Sequence, residues 1–359
     1  MTKTKNNFKS LLVVSTLASI FFTFCNTQGQ TTNSKDKTFL VDYVNPLMGT
    51  DSKKSMSNGN TYPAIAKPWG MNFWTPMTAE MGNGWAYNYD DDKIRGIKQT
   101  HQPSPWLNDY AAFSFMAVTG ELKYQEDERA SWFSHKAETV APYHYSVYLA
   151  EYDVTAEVAP TSRAAHFKFT FPEAESSFIM LDAFFKGSMV KIIPEEQKII
   201  GYGRKNNGGL PYNFHIYLVA EFDKDFEITH TWKDNWELQK NNLNSEGKHV
   251  GAIIGFKTKK GEVVNVKVAS SFISLEQAKI NLDREIGKDS FDETKEKAKN
   301  AWEEELSRIK IEDDNIDNIK TFYSCLYRVL LFPRTFYEFD VDNKMMHYSP
   351  YNGKVLSGY

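Results

Sequence analysis

Apolar and polar residues alternate through several short runs between about residues 39 and 272. Tyr143, Tyr145, Val147 and Leu149 alternate with more polar neighbours, as do Phe167, Phe169 and Phe171. Val264, Val266 and Val268 repeat the pattern after a turn at 257–261. A period of two places such residues on one face of a strand, and many short runs of this kind predict a large antiparallel sandwich. Gly201, Tyr202 and Gly203, with the Gly/Asn-rich stretch at 206–209, read as a turn. They lack the GxGxxG spacing and precede no helix, so they are not a phosphate cradle.

The period then changes. Residues 274–287 open with Ser274 and Gln277 as a capping box, set Leu275, Ala278, Leu282 and Ile286 on one face, and stop at Gly287. A second helix starts at Ser290 with Glu293 as its boxed partner, and Phe291, Ala298, Trp302, Leu306 and Ile309 share a side. A third spans 315–331 and ends before Pro333, with Ile316, Ile319, Phe322, Tyr323, Leu326 and Leu330 on its apolar face. One long apolar helix and a loop cannot close a core of their own, so an uncovered helix face is expected near the end of the chain. The division is therefore 1–25 leader, 26–38 polar tether, 39–273 sandwich, 274–310 helical linker and 311–359 the start of a helical domain.

The leader carries Lys3, Lys5 and Lys9 ahead of an apolar run at 11–24, too short to span a bilayer comfortably. Cys25 closes the run where a bacterial lipoprotein signal places its lipidated cysteine. Phe22, Thr23 and Phe24 lack the small residue usual just upstream, which leaves ordinary cleavage near Gly29 as the alternative. Either reading makes the chain an exported protein, of the bacterial periplasm or outer-membrane surface, with membrane contact only through a lipid anchor. The other cysteine, Cys325, lies in an apolar helical pattern and is expected to be a buried thiol. At 359 residues, 41% hydrophobic and 25% charged, the chain has the composition of a soluble globular protein of one to three domains. A net charge of −4 gives no reason to expect nucleic acid as a partner. Oligomeric state is not legible.

One segment, 58–110, carries candidate chemistry without helical or strand periodicity. Trp69, Trp74, Trp85 and Trp106 offer flat apolar faces, and Asn83, His101, Asn108 and Asp109 offer hydrogen-bonding groups. Such ordered loops either shape a sugar pocket or plug into a core by their own tryptophans. Other clusters read as structure. Asp90, Asp91 and Asp92 form a polar turn, and Asp340, Asp342 and Asn343 lack the glycine and distal glutamate of an EF-hand loop. At least two of Glu303, Glu304 and Glu305 should face solvent, and His215 and His230 are too isolated for zinc.

The ordered set VNPLMGT (44–50), GNTYPA (59–64), PWGM (68–71), GWAYNY (84–89), THQ (100–102) and NDY (108–110) resembles the N-terminal region of glycoside hydrolase family 92, calcium-dependent exo-acting α-mannosidases. Lys67 and Trp69 depart from the commoner Val-Pro-Phe-Gly, and PSPW (103–106) replaces a Gly- and Ser-containing turn, which leaves linkage preference open. The resemblance implies a mainly β fold: a large antiparallel β-sandwich followed by a helical linker and the truncated start of an (α/α)6 barrel. It implies removal of terminal α-linked mannose from mannose-containing glycans by a calcium-dependent inverting mechanism. In the family the general acid, the base and the calcium ligands belong to the helical domain. None of their motifs occurs before Tyr359, so no catalytic or metal residue is assigned within this chain, and the chain alone is expected to be inactive. On motif match Trp85 is the first candidate for sugar contact, followed by His101 and Asp109, then Asn83 and Tyr87; Cys25 is the lipidation candidate. The alternative function is a non-catalytic glycan-binding sandwich.

Overall fold

A computed structural model of the chain describes residues 38–51, 61–80, 87–102, 109, 113–205 and 208–359. The leader, Cys25, Asn83, Trp85, Trp106 and Asn108 lie outside the described residues. Fourteen strands of the described residues form one curled antiparallel sheet. From one edge it runs Phe73–Met77, Gly96–Thr100, Ser114–Thr119, Ala174–Ile193, Lys198–Gly203, Ile216–Phe222, Glu262–Ser271, Ala164–Phe171, Val154–Pro160, His144–Leu149 and Glu138–Ala141. Asn244–Thr258 lies along the other edge of the 20-residue strand Ala174–Ile193 and carries Ile228–Lys233 and Glu237–Lys240.

That long strand explains the curl. Its register shifts between Asp182 and Phe185 and again between Phe185 and Ser188, with Phe184 and Lys186 at φ 51° and 75°. Extra residues on one strand bend it and increase its twist. Before the irregularity the strand pairs with Ser114–Thr119, and after it with Lys198–Gly203. The predicted alternation is observed: Tyr145, Val147, Leu149, Phe167, Phe169, Phe171, Val264, Val266 and Val268 all enter the central core. Trp74 joins them, edge-on to Phe167 at 5.0 Å, and so serves the core rather than a sugar surface.

Gly201, Tyr202 and Gly203 are not a turn, as the sequence suggested, but the end of the strand Lys198–Gly203. Gly201 is required there because a Cβ would fall 2.5 Å from the Met189 carbonyl oxygen on the neighbouring strand. Trp232 makes a similar demand on Gly251, whose Cβ would fall 1.9 Å from the indole.

Three α-helices follow among the described residues: α1 (Leu275–Glu285), α2 (Phe291–Leu306) and α3 (Ile316–Leu330). None among the described residues is long and apolar enough to cross a membrane. Ser274, Ser290 and Asn315 cap them, each accepting a backbone N–H of the first turn. Only Ser290 and Glu293 complete a capping box; the Gln277 side chain instead donates to Asn281 and to the Phe339 carbonyl. Ala278, Leu282 and Ile286 lay α1 on the sheet residues Ala164, Val219 and Ala269.

Helices α2 and α3 close a second core with the segment from Val41 to Phe73, through Trp302, Leu306, Tyr323, Tyr327 and Leu330. Trp302 Nε1 donates to Ala66 O at 2.7 Å and Tyr327 Oη to Ala64 O at 2.6 Å. The expected uncovered helix face is therefore largely covered, from the N-terminal side of the chain. What stays exposed includes Ile316, 46% accessible in the first turn although it shares the face of Tyr323 and Tyr327, and Val329, 62% accessible on another side of the helix. Cys325 is exposed as well, against expectation, because α3 buries one stripe and Cys325 falls off it beside Ser324. Of the three consecutive glutamates only Glu304 is fully exposed; Glu303 accepts the Val41 N–H and Glu305 pairs with Arg308.

Candidate functional site

A cavity of about 720 Å³ opens where the sandwich meets the segment after α3. The sandwich contributes Trp69, Asp109, Phe214 and Phe272, and the later segment contributes Pro333, Arg334, Thr335, Phe336 and Tyr337. His347 and Tyr348, from the strand Met345–Tyr348, complete the rim. The rings form a ladder: Phe272 lies 5.9 Å from Phe336 and 6.0 Å from Phe214, which lies 5.8 Å from Tyr348. Arg334 is sandwiched among Phe73, Phe332 and Phe336, 4.9 Å from the nearest ring centroid.

Trp69 occupies the left-handed region at φ 57°, an uncommon conformation for a tryptophan that the surroundings must enforce. They do so through its backbone. Its N–H donates to Leu330 O, and its carbonyl accepts both the N–H and the hydroxyl of Thr335. The indole is thereby fixed relative to the segment that forms the opposite wall.

Asp109 is the one carboxylate among the described residues that line the cavity. Its Oδ2 lies 3.0 Å from Lys98 Nζ, and its Oδ1 accepts the His101 backbone N–H at 3.1 Å. Burial pushes its pKa up, but Lys98 and His101 outweigh that and hold the carboxyl well below the usual range. His101 is fully buried behind Asp109, its ring 5.6 Å from Phe272 and its Nε2 3.2 Å from Asn72 Oδ1. Asn72 Nδ2 continues inward to Arg163 O and Ser270 Oγ. Nearby, burial and then Lys98 push the Lys205 ammonium down to about 8.

The structure thus brings His101 and Asp109 together, with Asp109 facing the cavity and His101 forming its support. Tyr87 lies apart: it is fully buried against Tyr62, and burial followed by Glu138 raises its hydroxyl pKa well above the ordinary value. Asn83 and Trp85 fall outside the described residues. The sequence reading did not single out Arg334, Phe272, Phe214, Tyr337 or His347. The aromatic run from Phe332 to Phe339, just after the helix stop, was the available signal.

Chemically, the site offers apolar ring faces, one ionised acceptor and one guanidinium donor. That suits a ligand with an apolar face and a hydroxyl rim. Among the described residues it does not present two facing carboxyl side chains. Among the described residues no group of three or more His, Cys, Asp or Glu could hold a metal ion. Asp91 accepts the Thr78 hydroxyl, and Asp340 accepts the N–H groups of Asp342 and Lys344 within a turn.

Comparison with known proteins adds lineage to this geometry. The model of the glycosyl hydrolase family 92 N-terminal domain matches residues 43–271, and that of the family 92 catalytic domain matches residues 277–359. A family GH92 inverting mannosidase from Bacteroides thetaiotaomicron VPI-5482 is 45% identical, with a TM-score of 0.88 over 91% of this chain and 44% of that one. A family GH92 α-mannosidase from Bacteroides thetaiotaomicron, solved with mannoimidazole, is 29% identical, with a TM-score of 0.76 over 90% of this chain and 43% of that one. The chain therefore spans less than half the length of these solved relatives. No curated protein matches it. A domain match covering most of the chain, and a solved relative at 45% identity, place this protein in glycosyl hydrolase family 92.

Proposed function

We propose that these residues form the sandwich and first helices of an exported glycoside hydrolase that removes terminal α-linked mannose from glycans, with inversion and with calcium. The observation that carries the reading is the cavity in which aromatic walls from the sandwich and from the post-α3 segment converge on an ionised Asp109. The names of the solved relatives, an inverting mannosidase and an α-mannosidase bound to mannoimidazole, support mannose as the sugar.

Inversion needs an acid and a base about 6.5–9.5 Å apart, with room for a water between them. Asp109 alone cannot provide both, and its depressed pKa makes it unfit to donate a proton. Its proposed role is to accept a hydrogen bond from a sugar hydroxyl while Trp69 and Phe272 cover the ring. A calcium ion would polarise sugar hydroxyls, but the described residues do not fit it as ligands, so its binding is assigned outside them. Export, with Cys25 as lipid attachment point, rests on the leader pattern. That Asp109 is the one carboxylate side chain among the described cavity residues is also compatible with a second reading, a sandwich that binds mannosides without cutting them.

The test is to titrate the purified 359-residue chain with methyl α-mannoside and to assay the mixture for hydrolysis of α-mannosides, with and without calcium chelation. Binding without hydrolysis, unaffected by chelation, is the expected result. Hydrolysis by the pure chain would refute the assignment of acid and base elsewhere, and absence of binding would refute the pocket.

A further inference from the structure

The cavity has two aromatic walls, and one buried carboxylate joins them. Glu338 belongs to the short strand Glu338–Phe339 and is fully buried. Its Oε1 accepts the Phe272 backbone N–H at 2.9 Å, and its Oε2 accepts Asn281 Nδ2 of α1 at 2.7 Å. Phe272 is a wall residue from the sandwich, and Tyr337, next to Glu338 in sequence, belongs to the other wall.

The flanking residues are held in the same manner. The Arg163 guanidinium donates to Tyr337 O and pairs with Glu285 at 2.8 Å. Gln277 Nε2 donates to Phe339 O at 2.7 Å. Three consecutive residues are thus caught by buried donors from the sheet and from α1.

A buried carboxylate is an expensive way to fill space. Burial is the largest influence on Glu338 and raises its pKa, against hydrogen bonds from Ser271, Asn281 and Phe272. An apolar side chain of similar size would avoid that cost. What a carboxylate offers instead is two acceptors in a rigid fork, able to fix a strand end and a helix side chain at one spacing.

We propose that Glu338 is a positioning residue of the cavity, setting the distance between the Phe272 and Tyr337 walls. It touches no ligand. The ligand consequence rests on the mannoside reading above, whereas the positioning itself does not.

The test uses the full chain with Glu338→Gln and Glu338→Leu. Amide exchange is followed at 268–275, 333–339 and, as a control, in α3, alongside titration with methyl α-mannoside. In Glu338→Leu both acceptors are lost, so exchange at Phe272 and across 333–339 should rise about tenfold while α3 is unchanged. Mannoside affinity should fall about tenfold, and Glu338→Gln, which keeps one acceptor, should restore part of both effects. Unchanged exchange in Glu338→Leu overturns the proposal, as does a rise of equal size in α3, which would mean general loosening. If Glu338→Leu does not fold, Glu338→Gln decides by the same two readings of exchange. If the wild-type chain binds no mannoside, the glycan reading fails and the exchange arm still decides the role of Glu338.

Discussion

Replacing Asp109 by asparagine tests whether the polar end of the cavity is an ion pair or only a hydrogen-bonded loop. Lys98 and Asp109 have side chains 7% and 10% exposed and lie 3.0 Å apart. At an effective dielectric of about 20, two unit charges at that distance attract by about 5 kcal/mol before desolvation is subtracted. Net values are smaller, but removing one member of a buried pair typically costs about 3–5 kcal/mol, because the other charge stays buried. Asparagine keeps the shape and can still accept the His101 N–H. The expected loss is therefore at the lower end, about 3 kcal/mol. Equilibrium urea unfolding measures it. Lys98→Met and the double variant complete a thermodynamic cycle, and the double variant should lose about 2 kcal/mol less than the sum of the singles. The pair also carries an acid signature. The Asp109 carboxyl is held below its unfolded value, so its contribution is present above the ordinary aspartate range and is lost as pH falls through and below it. Additive single effects, or a loss under about 1 kcal/mol in Asp109→Asn, would refute a buried ion pair and leave Asp109 as a solvated rim residue.

Two further outcomes follow from buried groups elsewhere. Burial, and then Lys267, push the His166 imidazole down to about 4, and its Nδ1 lies 3.4 Å from the Thr294 hydroxyl. Its folded value lies below its unfolded one, so the contribution is complete above pH about 6.5 and is lost as pH falls toward 4. The stability difference between wild type and His166→Phe should thus shift by about 2 kcal/mol against wild type from pH 7 to pH 4.5; a flat difference contradicts the assignment. Gly251→Ala forces a methyl into the Trp232 ring, where an added Cβ would lie 1.9 Å from Cζ2. Overpacking of that severity should cost about 3 kcal/mol or more, seen as a lowered Tm, and a wild-type Tm would mean that the indole has room to move.

Sequence alone reached the sheet and helices because each buries one face. Phe167, Phe169 and Phe171 can alternate only if one side of their strand meets a core. Ser274 and Ser290 marked helix starts because their side chains replace missing backbone partners. Failures came where local chemistry was overruled from a distance. Gly201 is dictated by the Met189 carbonyl, which no local pattern reveals, and Cys325 turns outward because its helix packs through Tyr323 and Tyr327 instead. Trp74 and Trp69 share a segment, yet one is in the core and the other lines the cavity. His101 and Asp109 were legible as a pair of polar loop residues. Their division into support and cavity face was not, since it depends on Asn72, Lys98 and Phe272.

The placement of the cavity constrains what the sandwich can be. Its polar end, Asp109, is set by Lys98 and His101 within the sheet region. Its aromatic end is set by the segment after α3, which is itself tied back to the sheet through Trp69, Arg163 and Phe272. A ligand spanning both ends would therefore meet residues whose spacing neither part fixes alone. A scaffold that merely carried a catalytic domain would need packing between the two parts, and the core around Trp302 and Tyr327 already supplies it. The additional buried polar ties at Trp69, Arg163 and Glu338 cost desolvation and add geometric definition. They lie beside the cavity, so under the mannoside reading proposed above their cost would be offset at the site, and a sandwich that only supported a catalytic domain would have no need of them.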